Sequence, residues 1–542
     1  MERVLSELLT PEIGKTIGFI ETRRVPDAAI DPLVTGLEYD SRKIQPGNLY
    51  FALPGLHADG HAFIPEAIRR GAPVVVHEAE LSGYPPGVAF VRVRSSRFAM
   101  SALADRFYGS PSRSLALIGV TGTEGKSTTV YLIHQLLEAA GKKAGFISTA
   151  QYSEGDGERW NPEHQTTPEA TVIHRFLRLM RDKGAEYAVL EASSHGLSPR
   201  TNRLGDAAFD AGVMTNVAHE HLEFHGTWEQ YRHDKANLFR AIGKTAKTFR
   251  PWGNSGGEAA GPARPGPPFG VVNGDDGSAS YFAEAAAYPV YRFSVRDAPA
   301  DLSLQSLESA AEGNRYRLKI QETGETLEFY DRLPGAFNAG NVLAALLTLS
   351  RLLGAPVRDF LPLVPSLKPV RGRMTAVQKG QPFEALVDFA HTPSSFSALF
   401  PPLRERLDRR GGRIISLFGS AGERDTAKRP EQGRIASRWS DILFLTDEDP
   451  RGEPPEAILE AIAQGVREET PGRREGVDMF LIPHRPAAIR AAFSLARPGD
   501  LVLLLGKGHE NSILYAGYTL PYDEISEAEQ ALSELGYPRS VT

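Results

Sequence analysis

Leu117-Ile-Gly-Val-Thr-Gly-Thr-Glu-Gly-Lys-Ser-Thr-Thr129 is the stretch on which the fold of this chain turns. The apolar run 115–120 predicts a buried strand and 121–125 a tight glycine-bearing turn. Residues 127–140 predict a helix, with apolar positions at Val130, Leu132, Ile133, Leu136 and Leu137. Strand, glycine loop, Lys-Ser and helix form the plan of a phosphate cradle. Gly122 and Gly125 let backbone N–H groups approach phosphate oxygens, and the helix start adds partial positive charge. Lys126 would reach the β- and γ-phosphates, and the Ser127 hydroxyl can ligate magnesium. The candidate nucleotide-binding residues are Gly122, Thr123, Gly125, Lys126, Ser127 and Thr128. The usual first glycine, five residues before Gly125, is Val120 here, so a chance Gly-rich turn is the bland alternative.

Around this stretch the chain runs to 542 residues, too many for one core, which points to two to four domains. Hydrophobic content of 41% and charged content of 24% fit an ordinary globular protein. A formal net charge of −6 argues against a nucleic-acid-binding surface. The absence of cysteine excludes disulfides, thiolate catalysis and Cys-ligated metals, and fits a reducing cytoplasm. The start, Met1-Glu-Arg-Val-Leu-Ser-Glu-Leu-Leu9, is too acidic for a signal peptide. No stretch approaches the roughly 18 apolar residues of a membrane span, and 501–505 reads as a buried strand. A cytoplasmic protein without membrane insertion is expected.

Three α/β domains are expected. Residues 1–112 form a small first domain, with strands near 49–53, 73–76 and 88–93 and a helix over 62–70. Asp40, Ser41 and Arg42 read there as turn chemistry. Over 113–367 strands alternate with helical patterns, which predicts a mostly parallel, helix-covered sheet. Strands at 187–191 and 211–216 end in polar residues, and open α/β sheets bind ligands beyond such ends. Residues 252–270, rich in Gly, Pro and Ala, read as a surface loop, and an apolar helix follows Leu333. The third domain, 368–542, is Rossmann-like, with strands near 385–388, 413–418, 442–446 and 501–505.

Several strand ends carry reactive side chains. Glu191 can ligate magnesium near the loop, or simply face water. His219-Glu-His221, with Glu223 and His225, looks at first like a transition-metal cluster. Side chains at that spacing do not all converge, so one histidine on magnesium or phosphate fits better. Lys235 lies in a predicted helix, 228–239, where a lysine is ordinarily a solvated surface charge. Asp388 ends a strand, a placement suited to a ribose hydroxyl or a metal. Phe418-Gly-Ser-Ala-Gly422, Asp447-Glu-Asp-Pro-Arg451 and Gly506-Lys-Gly-His-Glu510 also follow strands, and together they describe a binding edge.

Taken in order, Asp40-Ser-Arg42, the phosphate loop, Glu191-Ala-Ser-Ser-His195, Glu220-His-Leu-Glu-Phe-His-Gly226, Asp388-Phe-Ala-His-Thr-Pro393, Asp449-Pro-Arg-Gly-Glu453 and Gly506-Lys-Gly-His-Glu510 resemble the Mur ligases. These are the ATP-dependent amino-acid ligases of peptidoglycan precursor synthesis, and the nearest branch is the MurE type, which adds the third residue. The resemblance implies a UDP-sugar domain, a central ATPase domain and a closing C-terminal domain. It places Ser41, Leu56, His57 and Ala58 on the UDP-sugar, and Thr166, Thr167, Ser193 and Arg203 on the muramoyl peptide. Asn341, Arg373 and Asp388 would face the nucleotide, while Glu191 and His221 match magnesium positions. Lys235 falls where the family carries a carbamylated lysine, which as a carboxylate can help hold a metal, so the resemblance reverses its surface reading.

The implied substrates are ATP, a UDP-N-acetylmuramoyl dipeptide and a diamino acid, handled by a monomer with Mg2+. Lys126, Lys235 and His221 are the candidate catalytic residues. Glu124 stands where the family usually has Asn. The amino-acid selector reads Glu448, Asp449, Pro450, Arg451, with Gly506 and Glu510 nearby in the implied site. Arg451 suits the distal carboxylate of meso-diaminopimelate, whereas Asp449 adds a charge that attracts a distal amine, as in L-lysine or L-ornithine. The balance leans to meso-diaminopimelate. The competing readings are a folylpolyglutamate synthase-like ligase and a nucleotide-dependent switch that ligates nothing.

Overall fold

The structure, a computed structural model, describes residues 1–24, 29–55, 59–161, 165–218, 222–244, 247, 268–296, 298–310, 313–409 and 411–537. It divides into two compact units, Met1–Lys368 and Pro369–Thr542.

The first unit opens with a five-stranded sheet in the order Phe19–Arg24, Ala89–Val93, Val74–His77, Asn48–Phe51, Gly36–Glu38. All its pairings are parallel except that of Phe19–Arg24. Alternation along the strands feeds two cores. Leu49 and Phe51 pack with Val74, Val76 and Leu103, while Tyr50 and Ala52 pack with Val75, Phe90 and Ile64. The helix expected over 62–70 begins as a 3-10 turn, Gly60–Phe63, because the Asp59 side chain accepts from the His61 N–H and fixes a tighter start.

The same unit holds an eleven-stranded sheet with Ala116–Thr121 at its centre, between Tyr187–Glu191 and Ala211–Met214. Ala144–Ile147, Phe269–Asn273 and Val290–Ser294 continue it in parallel on either side. Antiparallel strands finish both edges, among them the meander Leu302–Ala310, Gly313–Ile320, Thr326–Asp331. Helices Ala170–Asp182, Trp228–Ala241 and Ala279–Ala285 cover one face; Lys126–Ala139 and Ala339–Leu353 pack together on the other. Three glycines stand in register across adjacent strands, Gly119 beside Gly212 and Gly212 beside Gly270. A Cβ at Gly119 would lie 2.5 Å from Leu238, and one at Gly270 would lie 2.6 Å from Phe239. The row is a trench in which helix Trp228–Ala241 sits close to the sheet.

Two expectations are corrected here. Phe269 and Gly270 belong to a buried strand rather than to the 252–270 loop, and 252–267 lie outside the described residues. Among the described residues one helical run, Ala336–Leu353, is long and apolar enough to cross a membrane by length and composition. It is mostly buried within this unit, where it serves as a core helix.

The second unit is a six-stranded sheet in the order Thr375–Ala376, Glu384–Asp388, Leu501–Leu505, Ile414–Phe418, Ile442–Leu445, Met479–Leu481. All but the first strand are parallel, and apolar side chains fill both faces. The late strand Leu501–Leu505 inserts between two earlier ones, which makes a topological switch at the carboxyl edge, where ligands bind in such sheets.

Candidate active site

The phosphate loop leaves the central strand of the first sheet. A Cβ on Gly122 would lie 1.9 Å from the Thr215 hydroxyl oxygen, and one on Gly125 would lie 2.4 Å from the Asn341 carboxamide oxygen. The loop is fastened to the neighbouring strand end. The Thr123 N–H donates to the Asn216 carbonyl and the Glu124 N–H to the Asn216 side chain, both at 2.9 Å. Lys126 Nζ donates to the Thr123 carbonyl at 2.7 Å, folded back over the loop. The first N–H groups of helix Lys126–Ala139, which includes Ser127 and Thr128, have no partner within the helix and can face a phosphate.

Ser127 Oγ donates to Glu191 Oε2 at 2.8 Å, so two expected magnesium ligands meet. The same carboxylate oxygen accepts from the N–H and hydroxyl of Thr149, at 2.7 and 2.9 Å. A carboxylate and hydroxyls are hard oxygen donors of the kind magnesium takes, and this set fits that ion. His221 lies outside the described residues, as do His219 and Glu220. His225 is a buried structural histidine: its ring contacts Asp234 at 2.9 Å and Ser194 at 3.1 Å. Burial pushes the Asp234 carboxyl up, but hydrogen bonds with His225, Ser198 and Gln230 hold it below its ordinary value. Among the described residues no cluster could form a transition-metal site.

Lys235 overturns the residue-level reading of a solvated surface charge, for it is 1% exposed. Its Nζ donates to the Gly122 carbonyl at 2.6 Å and lies 4.4 Å from the Tyr231 ring centre. The glycine trench is the physical cause, since it lowers this helix onto the sheet beside the loop.

Thr167 Oγ1 donates to the Glu191 carbonyl and accepts from the Ser193 N–H, both at 2.9 Å, which ties both residues to the same strand end. Thr166 is half-buried beside them. Arg203 pairs with Glu169 at 2.9 Å and donates to the Thr167 carbonyl, so its charge already has a carboxylate partner. Ser41 is buried and donates to Glu66 at 3.1 Å, and Asp40 caps the short turn that holds it. Leu56, His57 and Ala58 lie outside the described residues. Asn341 accepts from Thr129 Oγ1 at 3.1 Å and stands against Gly125 rather than apart from the loop.

In the second unit, Asp388 accepts from the N–H groups of Met374 and Ala390, each at 2.8 Å. Burial raises its carboxyl above the ordinary value, and nearby Arg373 opposes that rise. The Arg373 guanidinium lies over Phe389 at 4.5 Å. Past the edge, Lys507 Nζ, fully buried, pairs with Asp449 at 2.9 Å and with Glu510 at 2.5 Å. The Leu514 N–H also donates to Asp449. Asp449 is therefore not the spare charge expected for a distal amine, because it already pairs with Lys507, which it shares with Glu510. Glu448 Oε2 is buried with no hydrogen-bond partner among the described residues, and a Cβ on Gly506 would lie 3.0 Å from it. After Pro450, Arg451 takes a left-handed backbone (φ +54°), and its Nε is likewise buried without a hydrogen-bond partner among the described residues.

Residue-by-residue reading missed Thr149, Asn216, Tyr231 and Lys507. Of these, Asn216 closes a strand already read as ending in polar residues and Lys507 stands between two glycines directly after a buried strand, whereas Thr149 and Tyr231 carried no signal.

The chain matches the Mur ligase family catalytic domain at residues 33–108 and the Mur ligase middle domain at 120–255. It also matches the Mur ligase glutamate ligase domain at 372–508. It is 47% identical to a UDP-N-acetylmuramyl-tripeptide synthetase of Treponema denticola, over 92% of this chain and 94% of that one. It is 35% identical to a UDP-N-acetylmuramoyl-L-alanyl-D-glutamate–2,6-diaminopimelate ligase of Geobacillus kaustophilus, over 93% and 96% of the two chains. A solved structure of a ligase with that same description superposes with a TM-score of 0.56 at 26% identity, covering 93% of this chain and 95% of the other.

Proposed function

Because the chain belongs to the Mur ligase family, with its three-domain fold, we propose that it is a MurE-type ligase of peptidoglycan precursor synthesis, working in the cytoplasm. It would join a diamino acid to UDP-N-acetylmuramoyl-L-alanyl-D-glutamate at the expense of ATP. The observation that carries this reading is the Ser127–Glu191 contact beside Lys126, at the end of the central parallel strand.

The terminal D-glutamate carboxylate attacks the γ-phosphorus of ATP, giving an acyl phosphate and ADP. The incoming amine then displaces phosphate and loses a proton as the peptide bond forms. Both steps gather negative charge, and Lys126 with the helix N–H groups would stabilise it and hold the phosphates in line. Magnesium, held by Ser127 and Glu191, would supply further charge neutralisation there. Lys235, beside Gly122, would contribute a carboxylate once carbamylated; as an ammonium it would repel a cation.

For the amino acid, meso-diaminopimelate remains the first choice. Its distal ammonium and carboxylate answer the unpartnered Glu448 Oε2 and Arg451 Nε. L-lysine or L-ornithine is the second reading, favoured by Glu448 alone. Phosphate release with the UDP-dipeptide, ATP and magnesium, assayed with each amino acid in turn, tests the proposal. Release that depends on one of them, with a tripeptide product by mass, supports it. Equal release with none added overturns it in favour of the nucleotide switch.

A further inference from the structure

Arg485 is a fully buried arginine at the start of helix Arg485–Leu495, outside every motif considered so far. Its Nη1 donates to the Asp447 carbonyl at 3.0 Å and its Nη2 to the Leu505 carbonyl at 2.7 Å. Glu524, also fully buried, grips the other edge of the guanidinium at 2.9 and 2.6 Å, and Tyr522 donates to Glu524 in turn. The two carbonyls belong to the exits of Ile442–Leu445 and Leu501–Leu505, strands separated in the sheet by Ile414–Phe418. The sheet's own hydrogen bonds therefore do not join them. One exit leads into Glu448–Arg451 and the other into Gly506–Glu510.

We propose that Arg485 is a positioning residue that sets the spacing of these two loops and so the fit of the incoming amino acid. This rests on the reading above that the two loops receive that amino acid. A rigid planar fork suits the task, because it holds two acceptors at fixed separation while Glu524 fixes its plane. A lysine at the same place would keep the ion pair with Glu524 but would reach only one carbonyl with good geometry.

The test compares wild type with Arg485→Lys, Glu524→Gln and Arg451→Ala. KM is measured for meso-diaminopimelate, L-lysine, L-ornithine, ATP and the UDP-dipeptide, and thermal unfolding is followed in parallel. Arg485→Lys is expected to raise KM for the amino acid that supports turnover by about tenfold or more. KM for the UDP-dipeptide should hold, and Glu524→Gln should move KM the same way by less. Should KM for the amino acid stay put in both Arg485→Lys and Glu524→Gln while Arg451→Ala raises it, the positioning role falls. An equal rise in KM for all three substrates, or a lower melting temperature with no change in KM, also overturns it. If none of the variants shifts the amino-acid KM, the assignment of the loops to the amino acid falls as well.

Discussion

Ser127 and Glu191 meet across two neighbouring parallel strands: the hydroxyl that opens the phosphate-loop helix donates at 2.8 Å to the carboxylate that closes the adjacent strand. Both side chains are buried. Joined, they make a preformed oxygen corner at the start of the helix that follows the glycine loop, beside Lys126. Ser127→Ala and Glu191→Gln should each lower kcat by about a hundredfold or more. Both should also raise the magnesium concentration needed for half-maximal rate, which a magnesium titration of phosphate release measures. An unchanged magnesium dependence would remove Glu191 from the metal site.

Lys235 is expected to carry a carbamate during turnover. Intact-protein mass under carbonate buffer should show one added carbon dioxide in wild type and none in Lys235→Arg. Removing carbon dioxide from the buffer should slow wild type reversibly. A rate indifferent to carbon dioxide would sink the carbamate.

Gly125 and Gly141 both have left-handed backbones, but a Cβ at Gly141 meets nothing within 4 Å whereas one at Gly125 strikes Asn341. Gly141→Ala should cost about 1 kcal/mol of stability and leave turnover intact. Gly125→Ala should also weaken ATP binding at least tenfold, read by nucleotide titration. Equal ATP affinity in the two variants would refute a cradle at Gly125.

His134 and His174 are buried, and burial pulls both down to about 4. Unfolded histidine titrates near 6.5, so between these values the unfolded chain binds protons that the folded chain refuses. Stability is then complete above about pH 6.5 and declines as pH falls, by up to about 1.4 kcal/mol per pH unit for each histidine. Asp105 and Asp206, whose carboxyls burial raises beside His174, act in the opposite sense at the acidic end. Denaturant melts over this range should show a shallower slope in His174→Gln and in His134→Gln; a slope unchanged in both would contradict the account.

Arg451→Ala should raise KM for meso-diaminopimelate by about a hundredfold, roughly 2 to 3 kcal/mol for a charge-assisted pair. KM for L-lysine and L-ornithine should move little. A uniform effect on all three would separate Arg451 from the distal carboxylate.

The parallel strands were legible because buried parallel strands are unbroken apolar runs, as Leu501–Leu505 and Tyr187–Glu191 show. The antiparallel meander went unread, although Gly313–Ile320 alternates buried and exposed residues, because the surrounding alternation of strands and helices suggested a mostly parallel sheet and marked no antiparallel edge. Partnerships at the site were the least legible. Asp449 pairs with a lysine 58 positions further on, and no local pattern announces that contact. Lys235 looked like a surface charge because its helix carries a polar sequence, and its burial depends on glycines in three other elements.

Those glycines set the height of the Lys235 nitrogen by contributing no side chain of their own. One methyl on Gly119, Gly212 or Gly270 would press on Leu238, Ile242 or Phe239, the side chains that seat the helix on the sheet beside Gly122. Activity could thus be lost with every polar group intact. Surveys that rank positions by the chemistry of their side chains would pass over the three places where having none is the function.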